Sequence, residues 1–344
     1  MAILFMDGFD CYASTAQAYD AGWYPESSCT ISTTGGRFGG GALAIATTFS
    51  QWIRSFPNVS YGNVVYVAFS YIHHGFATTN LMRLLSEQAA GIMLLSHDAA
   101  GTITFTPSSG SSTTEAGTSL VVGSWNRVEV KVTLGTTASN GACEVRVNGT
   151  TVINVTGIDT NTTGIGASVL ELGAGGSTST NTAYHDDVII FDTTGSGVTD
   201  FLGDVKITTQ SPDADAATVD WTASAGSDYQ CVDETPNAAN DDTDYISSST
   251  AAQESRFSMS NLAASPASVH AVQVRYRAKK TDAGNRTIRS LINSNSNEDL
   301  GTERGLSTAY KWYHGDVFEL DPDGSVAWDE ASINALEVGV EVVT

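Results

Sequence analysis

Trp125-Asn126-Arg127-Val128-Glu129-Val130-Lys131-Val132-Thr133-Leu134 puts Val128, Val130, Val132 and Leu134 on one side of an extended chain. Arg127, Glu129, Lys131 and Thr133 fall on the other, because successive strand side chains alternate in direction. One apolar face and one charged face is the pattern of a half-buried antiparallel strand. Cys143-Glu144-Val145-Arg146-Val147 repeats it, with Cys143, Val145 and Val147 inward. Asn148-Gly149 follows at once and Thr150-Thr151-Val152-Ile153-Asn154-Val155 continues. Asn-Gly accepts positive φ at both central positions of a type I′ turn, so the two runs read as a hairpin.

Working outward, Asn63 to Ile72 is a long strand with apolar residues on both faces, as in the centre of a sandwich. Leu81–Leu85, Gly91–Leu95 and Gly101–Thr106 add short apolar or alternating runs. Tyr184-His185-Asp186-Asp187-Val188-Ile189-Ile190-Phe191-Asp192 is rich in strong strand formers. It reads as the closing strand of a first domain, left through the Gly/Ser/Thr-rich segment Thr193–Thr199. Gly36-Arg37-Phe38-Gly39-Gly40-Gly41 precedes Ala42–Ala46. It lacks the Lys-Ser/Thr and the following helix of a phosphate loop, so it reads as a tight turn feeding a strand.

With 344 residues, 33 of them Gly, and only 16% charged, the chain is long enough for two domains and poor in helical patterns. The expected class is all-β, of sandwiches or barrels. The net charge of −22 is spread over both parts, with 6 Lys/Arg against 15 Asp/Glu in residues 1–203 and 10 against 23 in 204–344. Such a chain repels phosphate backbones, which excludes nucleic acid as the expected partner. Met1 to Met6 is apolar, but Asp7 interrupts it and neither a basic leader nor a small-residue cleavage pattern is present. No run has the length of a membrane span. Synthesis in the cytoplasm without membrane insertion is the expectation. Cys11, Cys29, Cys143 and Cys231 lack metal-ligand spacing. Free thiols are expected, with a Cys11–Cys29 bridge as the alternative.

In the second part, His270 to Lys280 alternates, with Val272, Val274, Tyr276 and Ala278 inward and Gln273, Arg275, Arg277 and Lys279 outward. Thr287 to Ile292 reads as its partner. The basic row is expected to pair with carboxylates rather than grip phosphate. Asp233, Glu234, Asp241, Asp242 and Asp244 form a solvated acidic loop; their spacing fits no EF-hand. Asp321-Pro322-Asp323-Gly324 is a turn, Ala331–Leu336 a short helix, and Glu337–Val343 the closing strand.

The succession of Asp7-Gly8-Phe9-Asp10, the Gly36–Leu43 turn, the Trp125-led strand, the Val147-Asn148-Gly149 hairpin, Leu170-Glu171-Leu172-Gly173 and the Asp186-Asp187 strand resembles a concanavalin-A-like (laminin-G/pentraxin type) jelly roll. Tyr310-Lys311-Trp312-Tyr313-His314, Phe318 to Gly324, Ala327-Trp328-Asp329-Glu330 and Asn334 to Val342 resemble the C-terminal part of tailed-bacteriophage structural proteins. Together these resemblances imply a jelly-roll sandwich over residues 1–200 and a smaller β-sandwich over 201–344, in a non-enzymatic virion protein made in the host cytoplasm and carried on the exterior of head or tail. Its implied partners are further copies of itself, with a trimer carried by the resemblance alone, and capsid or tail proteins. The alternative is a carbohydrate-binding module contacting host surface glycans; a glycoside hydrolase ranks third, because the Glu-x-Asp-x-x-Glu cluster of such enzymes is missing.

Trp23, Tyr24, Trp52 and Tyr184 are the candidate sugar-binding aromatics. Asp186 and Asp187 are candidate ligands for a rim calcium, the one cofactor considered. No catalytic residue is assigned. There is no Gly-x-Ser-x-Gly elbow. His73-His74, His97-Asp98 and His185-Asp186 are strand neighbours that point apart, so structural roles are expected for the histidines.

Overall fold

The computed structural model describes residues 2–26, 28–46, 50–75, 79–160, 166–173, 182–195, 198 and 200–344. Ser196, Gly197 and Thr199 of the expected exit segment lie outside them. The chain is all-β and separates into two compact units, Met1–Ile207 and Thr208–Thr344, a division seven residues beyond the expected one.

The first unit is built on two antiparallel sheets. The eight-stranded sheet runs in the order Thr150–Ile158, Gly141–Val147, Asn126–Thr133, Val64–Ile72, Ala183–Asp192, Ala42–Ile45, Cys29–Ser32, with Ile3–Asp7 also paired to Ala183–Asp192. The seven-stranded sheet runs Thr113–Thr114, Ile103–Pro107, Gly91–His97, Thr79–Leu85, Ala167–Leu172, Trp52–Val59, Trp23–Pro25. The Asn148-Gly149 turn has positive φ at both residues, 49° and 81°, and closes the Val147–Thr150 pair as type I′ chemistry requires. Gly41 is needed for space: a Cβ there would lie 2.2 Å from the Phe9 carbonyl oxygen.

Val128, Val130, Val132 and Leu134 are fully buried between the sheets, as their alternation predicts. Arg127 and Glu129 on the opposite face are each only 2% exposed, so the first part of the strand is covered on both sides, whereas Lys131 and Thr133 stay half-buried. The cover is the segment 201–207. The Gly203 amide donates to Glu129 Oε1 at 2.9 Å, and Arg127 Nε donates to the Gly203 carbonyl at 3.2 Å. Phe201 lies under the Arg146 guanidinium, 3.9 Å from ring centroid to Cζ, and edge-on to Tyr66, which stacks on Phe191. The run Tyr184–Asp192 is therefore a central strand, followed by a strap that lies across its own sheet.

At the chain's start Asp7 is fully buried. Its carboxylate accepts from the Phe9 amide at 2.8 Å, the Tyr12 hydroxyl at 2.8 Å and Trp23 Nε1 at 2.9 Å. All four cysteines are buried and none is in a disulfide.

The second unit has a six-stranded sheet ordered Pro212–Val219, Glu254–Met259, Glu337–Val342, Thr287–Ser294, Asn297–Leu300, with Arg304–Gly305 paired to Thr287–Ser294. Val272–Ala278 pairs with Lys311–Phe318 as a separate ribbon, not with Thr287–Ser294 as its alternation suggested. Apolar alternation marks a strand's buried face and is silent about its neighbour. Val274, Ile292, Phe318, Trp328, Ile333 and Leu336 form the core between sheet, ribbon and the Glu330–Asn334 helix. Trp328 Nε1 donates to the Phe318 carbonyl at 2.9 Å, so the indole is buried with its polar atom satisfied.

Replacing Asp7 by Ala orphans three buried donors, each worth about 1–3 kcal/mol when left unpaired. Urea unfolding of Asp7→Ala should show a loss of at least about 3 kcal/mol; a loss below about 1 kcal/mol would contradict the arrangement.

Candidate functional site on the uncovered sheet face

The two sheets differ in what covers them. The outer face of the eight-stranded sheet carries the strap. The outer face of the seven-stranded sheet is partly exposed, with Glu171 and Ser96 set more deeply than their neighbours. Cross-strand partners share a face. The register therefore sets Tyr24, Ile53, Glu171, Arg83, Leu94 and Thr106 in one transverse row across six strands. Asn80, Ser96 and Thr104 form a second row beside it. With strands ~4.8 Å apart, Tyr24 and Arg83 stand three spacings, roughly 14 Å, from each other.

Arg83 Nη1 and Glu171 Oε2 are 3.0 Å apart, and Gln51 Nε2 donates to Glu171 Oε1 at 3.3 Å. The Glu171 side chain is 10% exposed and that of Arg83 38%. Burial raises the Glu171 carboxyl above the usual carboxylate range, with Glu26 adding to the effect and Arg83 opposing it. Tyr24 is 46% exposed, and Tyr19, also exposed, meets it edge-on at 5.3 Å. The row thus offers an aromatic ring, an amide, a carboxylate and a guanidinium within one strip.

Of the four aromatic candidates only Tyr24 is in this strip. Trp23 and Trp52 are fully buried and present no ring face to a ligand. Trp23 neighbours Tyr24 in a strand, so the two point to opposite faces; its Nε1 is spent on Asp7, and that of Trp52 is 3.4 Å from the Ala44 carbonyl. Tyr184 is half-buried on the other sheet, paired with Ala44 and Ile72. Gln51, Arg83 and Glu171 escaped the sequence reading. Their signal was a charged residue alone in an apolar run, Leu81-Met82-Arg83-Leu84-Leu85 and Leu170-Glu171-Leu172.

Asp186 and Asp187 sit at a bulge between Asp186 and Ile189, with Asp187 at φ 49°. The bulge brings consecutive carboxylates together where a regular strand would separate them. Asp186 accepts from the Asp187 amide at 2.7 Å and the Arg37 amide at 2.8 Å. Asp187 accepts from the Ser70 hydroxyl at 3.0 Å and the Ile207 amide at 2.8 Å, and its carbonyl accepts from Arg127 Nη1 at 2.9 Å. Every carboxylate oxygen already serves a protein donor: Asp187 ties down the strap through Ile207, and Asp186 ties down the glycine-rich turn through Arg37. Burial, then the neighbouring Asp187 charge, raises the Asp186 carboxyl. No group of three or more metal-ligating side chains occurs among the described residues. The acidic loop of the second unit is likewise engaged: Arg277 binds both oxygens of Asp241, at 2.6 and 2.8 Å, and Lys279 pairs with Asp242.

Three of the six histidines come together. His73, His97 and His185 converge with Tyr71 at one end of the first core, with His73 and His97 ring centroids 4.4 Å apart and Tyr71 and His185 4.8 Å apart. His97 Nδ1 lies 2.8 Å from the Asp98 carbonyl oxygen, which only accepts. Nδ1 therefore holds the proton and Nε2 accepts from the Tyr71 hydroxyl at 2.9 Å. Burial lowers His73 to about 4 and His185 to about 3.

No family model and no curated protein matches the chain. Among solved structures, an endo-β-1,4-glucuronan lyase from the fungus Trichoderma reesei is 11% identical with a TM-score of 0.40, over 49% of this chain and 89% of that one. Alginate lyase Aly36B is 17% identical at 0.39, over 55% and 97%. Trypanosoma rangeli sialidase is 13% identical at 0.33, over 44% and 25%. The likeness is one of β-sandwich fold. The names of these neighbours are those of carbohydrate-acting enzymes, against the expectation of a non-enzymatic virion structural protein, and nothing in them supports the resemblance of the second unit to phage proteins.

The buried histidines give a signed pH dependence. Between the unfolded value near 6.5 and the lowered folded values, the unfolded chain takes up protons that the folded chain refuses. Stability therefore falls as pH falls through that window, by up to ~1.4 kcal/mol per pH unit for each histidine. Asp186, raised on folding, acts in the reverse sense as pH rises above its unfolded value. The histidine part is thus read as a difference: His185→Leu should lose less stability than wild type between pH 6.5 and 4. Equal losses by denaturant titration would refute the assignment.

Proposed function

We propose that the first unit recognises carbohydrate on the uncovered face of its seven-stranded sheet. The observation that carries this reading is the exposed Tyr24 ring in register with the Gln51–Glu171–Arg83 group. Sugar rings have an apolar C–H face that packs on an aromatic ring and a perimeter of hydroxyls that bond to amides, carboxylates and guanidinium groups. A strip of about 14 Å that ends in a tyrosine and holds planar hydrogen-bonding groups suits an extended oligosaccharide of a few rings rather than a single sugar. The hydroxyls and amides of Asn80, Ser96 and Thr104 beside it supply further partners without charge.

The test is a glycan array on the full chain, followed by calorimetry on the best binder. Tyr24→Ala should weaken binding on the order of tenfold, the stacking contribution of one exposed ring. Tyr184→Ala, on the opposite sheet, should leave binding unchanged. Equal effects of the two substitutions, or no glycan bound at high protein concentration, would dismiss this face as the site.

A further inference from the structure

We infer that the Arg83–Glu171 pair tunes this face to neutral glycans and against uronate-bearing ones, an inference that rests on the carbohydrate-site reading above. A uronic-acid carboxylate would look for a guanidinium, because the planar fork of arginine matches it in two hydrogen bonds. Among the described residues of the face, Arg83 is the one cation in the transverse rows. It already faces a carboxylate directly across the strand pair, with Nη1 3.0 Å from Glu171 Oε2. Glu171 is the more deeply set partner and is held from the other side by Gln51.

For a ligand carboxylate to take Arg83, Glu171 would be left charged, largely buried and without its cation, the costly half of breaking a sheltered ion pair. If Arg83 served both, two carboxylates would share one guanidinium, with Glu26 close enough to add to the repulsion. Arg54, in the neighbouring strand, does not relieve this. Its guanidinium lies over the Phe5 ring at 4.1 Å and donates to the Ala21 carbonyl, on the far side of the sheet. The rest of the strip is uncharged: Tyr24, Ile53, Leu94, Thr106, Asn80, Ser96 and Thr104. Around it the chain carries a net charge of −22, which lowers the encounter rate with any polyanion. Hydroxyls, by contrast, bond to the Arg83–Glu171–Gln51 group without displacing anything, since each member keeps donors or lone pairs beyond those it uses internally.

The experiment compares sugars that differ in the charge alone: β-1,4-mannohexaose against oligomannuronate, and cellohexaose against oligoglucuronate, each by calorimetry with the full chain. The neutral member of at least one pair should bind on the order of tenfold more tightly, and the gap should narrow in high salt. Glu171→Gln, which keeps the shape and releases Arg83, should move the uronate-to-neutral affinity ratio toward the uronate by a similar factor. Arg83→Gln should move it the other way. Opposite shifts of a ratio are not what a loss of folding produces. Tighter uronate binding by the wild type, or no change of ratio in either variant, overturns the inference while leaving the carbohydrate site standing. Binding of neither member of either pair, together with no glycan bound on the array, overturns both.

Discussion

A guanidinium buried on the outer face of a sheet has to be answered by oxygen atoms, and Arg127 finds them on two segments far away in the chain. Its Nη1 donates to the Asp187 carbonyl and its Nε to the Gly203 carbonyl. Glu129, two residues on, accepts from the Gly203 amide. Arg37 joins from the glycine-rich turn, bonding to Asp204 at 2.6 Å and to Ser70. An unanswered buried charge is among the most destabilising features a fold can hold, so these groups make the strap a condition of the first unit rather than a trailing linker. With the strap in place the middle of one sheet's outer face is covered, and the other sheet is left as the surface on which recognition is proposed.

How much of this was legible in sequence follows from what each pattern encodes. Two-residue alternation reports which side of a strand meets the core, so Val128, Val130 and Val132 and the Asn148-Gly149 hairpin were readable without coordinates. It does not report what lies on the other side. Arg127 and Glu129 were therefore read as solvent-facing, because nothing local announces that residues 201–207 return over them. The same blindness separated Val272–Ala278 from its real partner Lys311–Phe318.

The site was harder still. Single aromatic residues have no period, so Trp23, Tyr24, Trp52 and Tyr184 stood equal as candidates until burial told them apart. Tyr24 survived through parity alone, being the odd neighbour of an inward Trp23. Gln51, Arg83 and Glu171 are 32 to 120 residues apart in the chain and meet only through strand register. His73, His97 and His185 likewise converge only because three strands from two sheets end at one corner of the core. Asp186 and Asp187 were read as a possible metal pair, whereas a bulge that no composition rule predicts turned both toward backbone amides.

The pairing of Ile3–Asp7 with Ala183–Asp192 joins the first strand to one of the last, and Ala2 donates to Asp192 across 190 residues. Closing such a loop costs chain entropy long before it returns contact energy, which places this unit among slow folders. During synthesis the opening strand must wait, its apolar side exposed, until residue 192 and then the strap have left the ribosome. The interval is set by chain length, and at 5–20 residues per second it amounts to roughly 10–40 seconds in which an unpaired strand edge is open to the wrong partner.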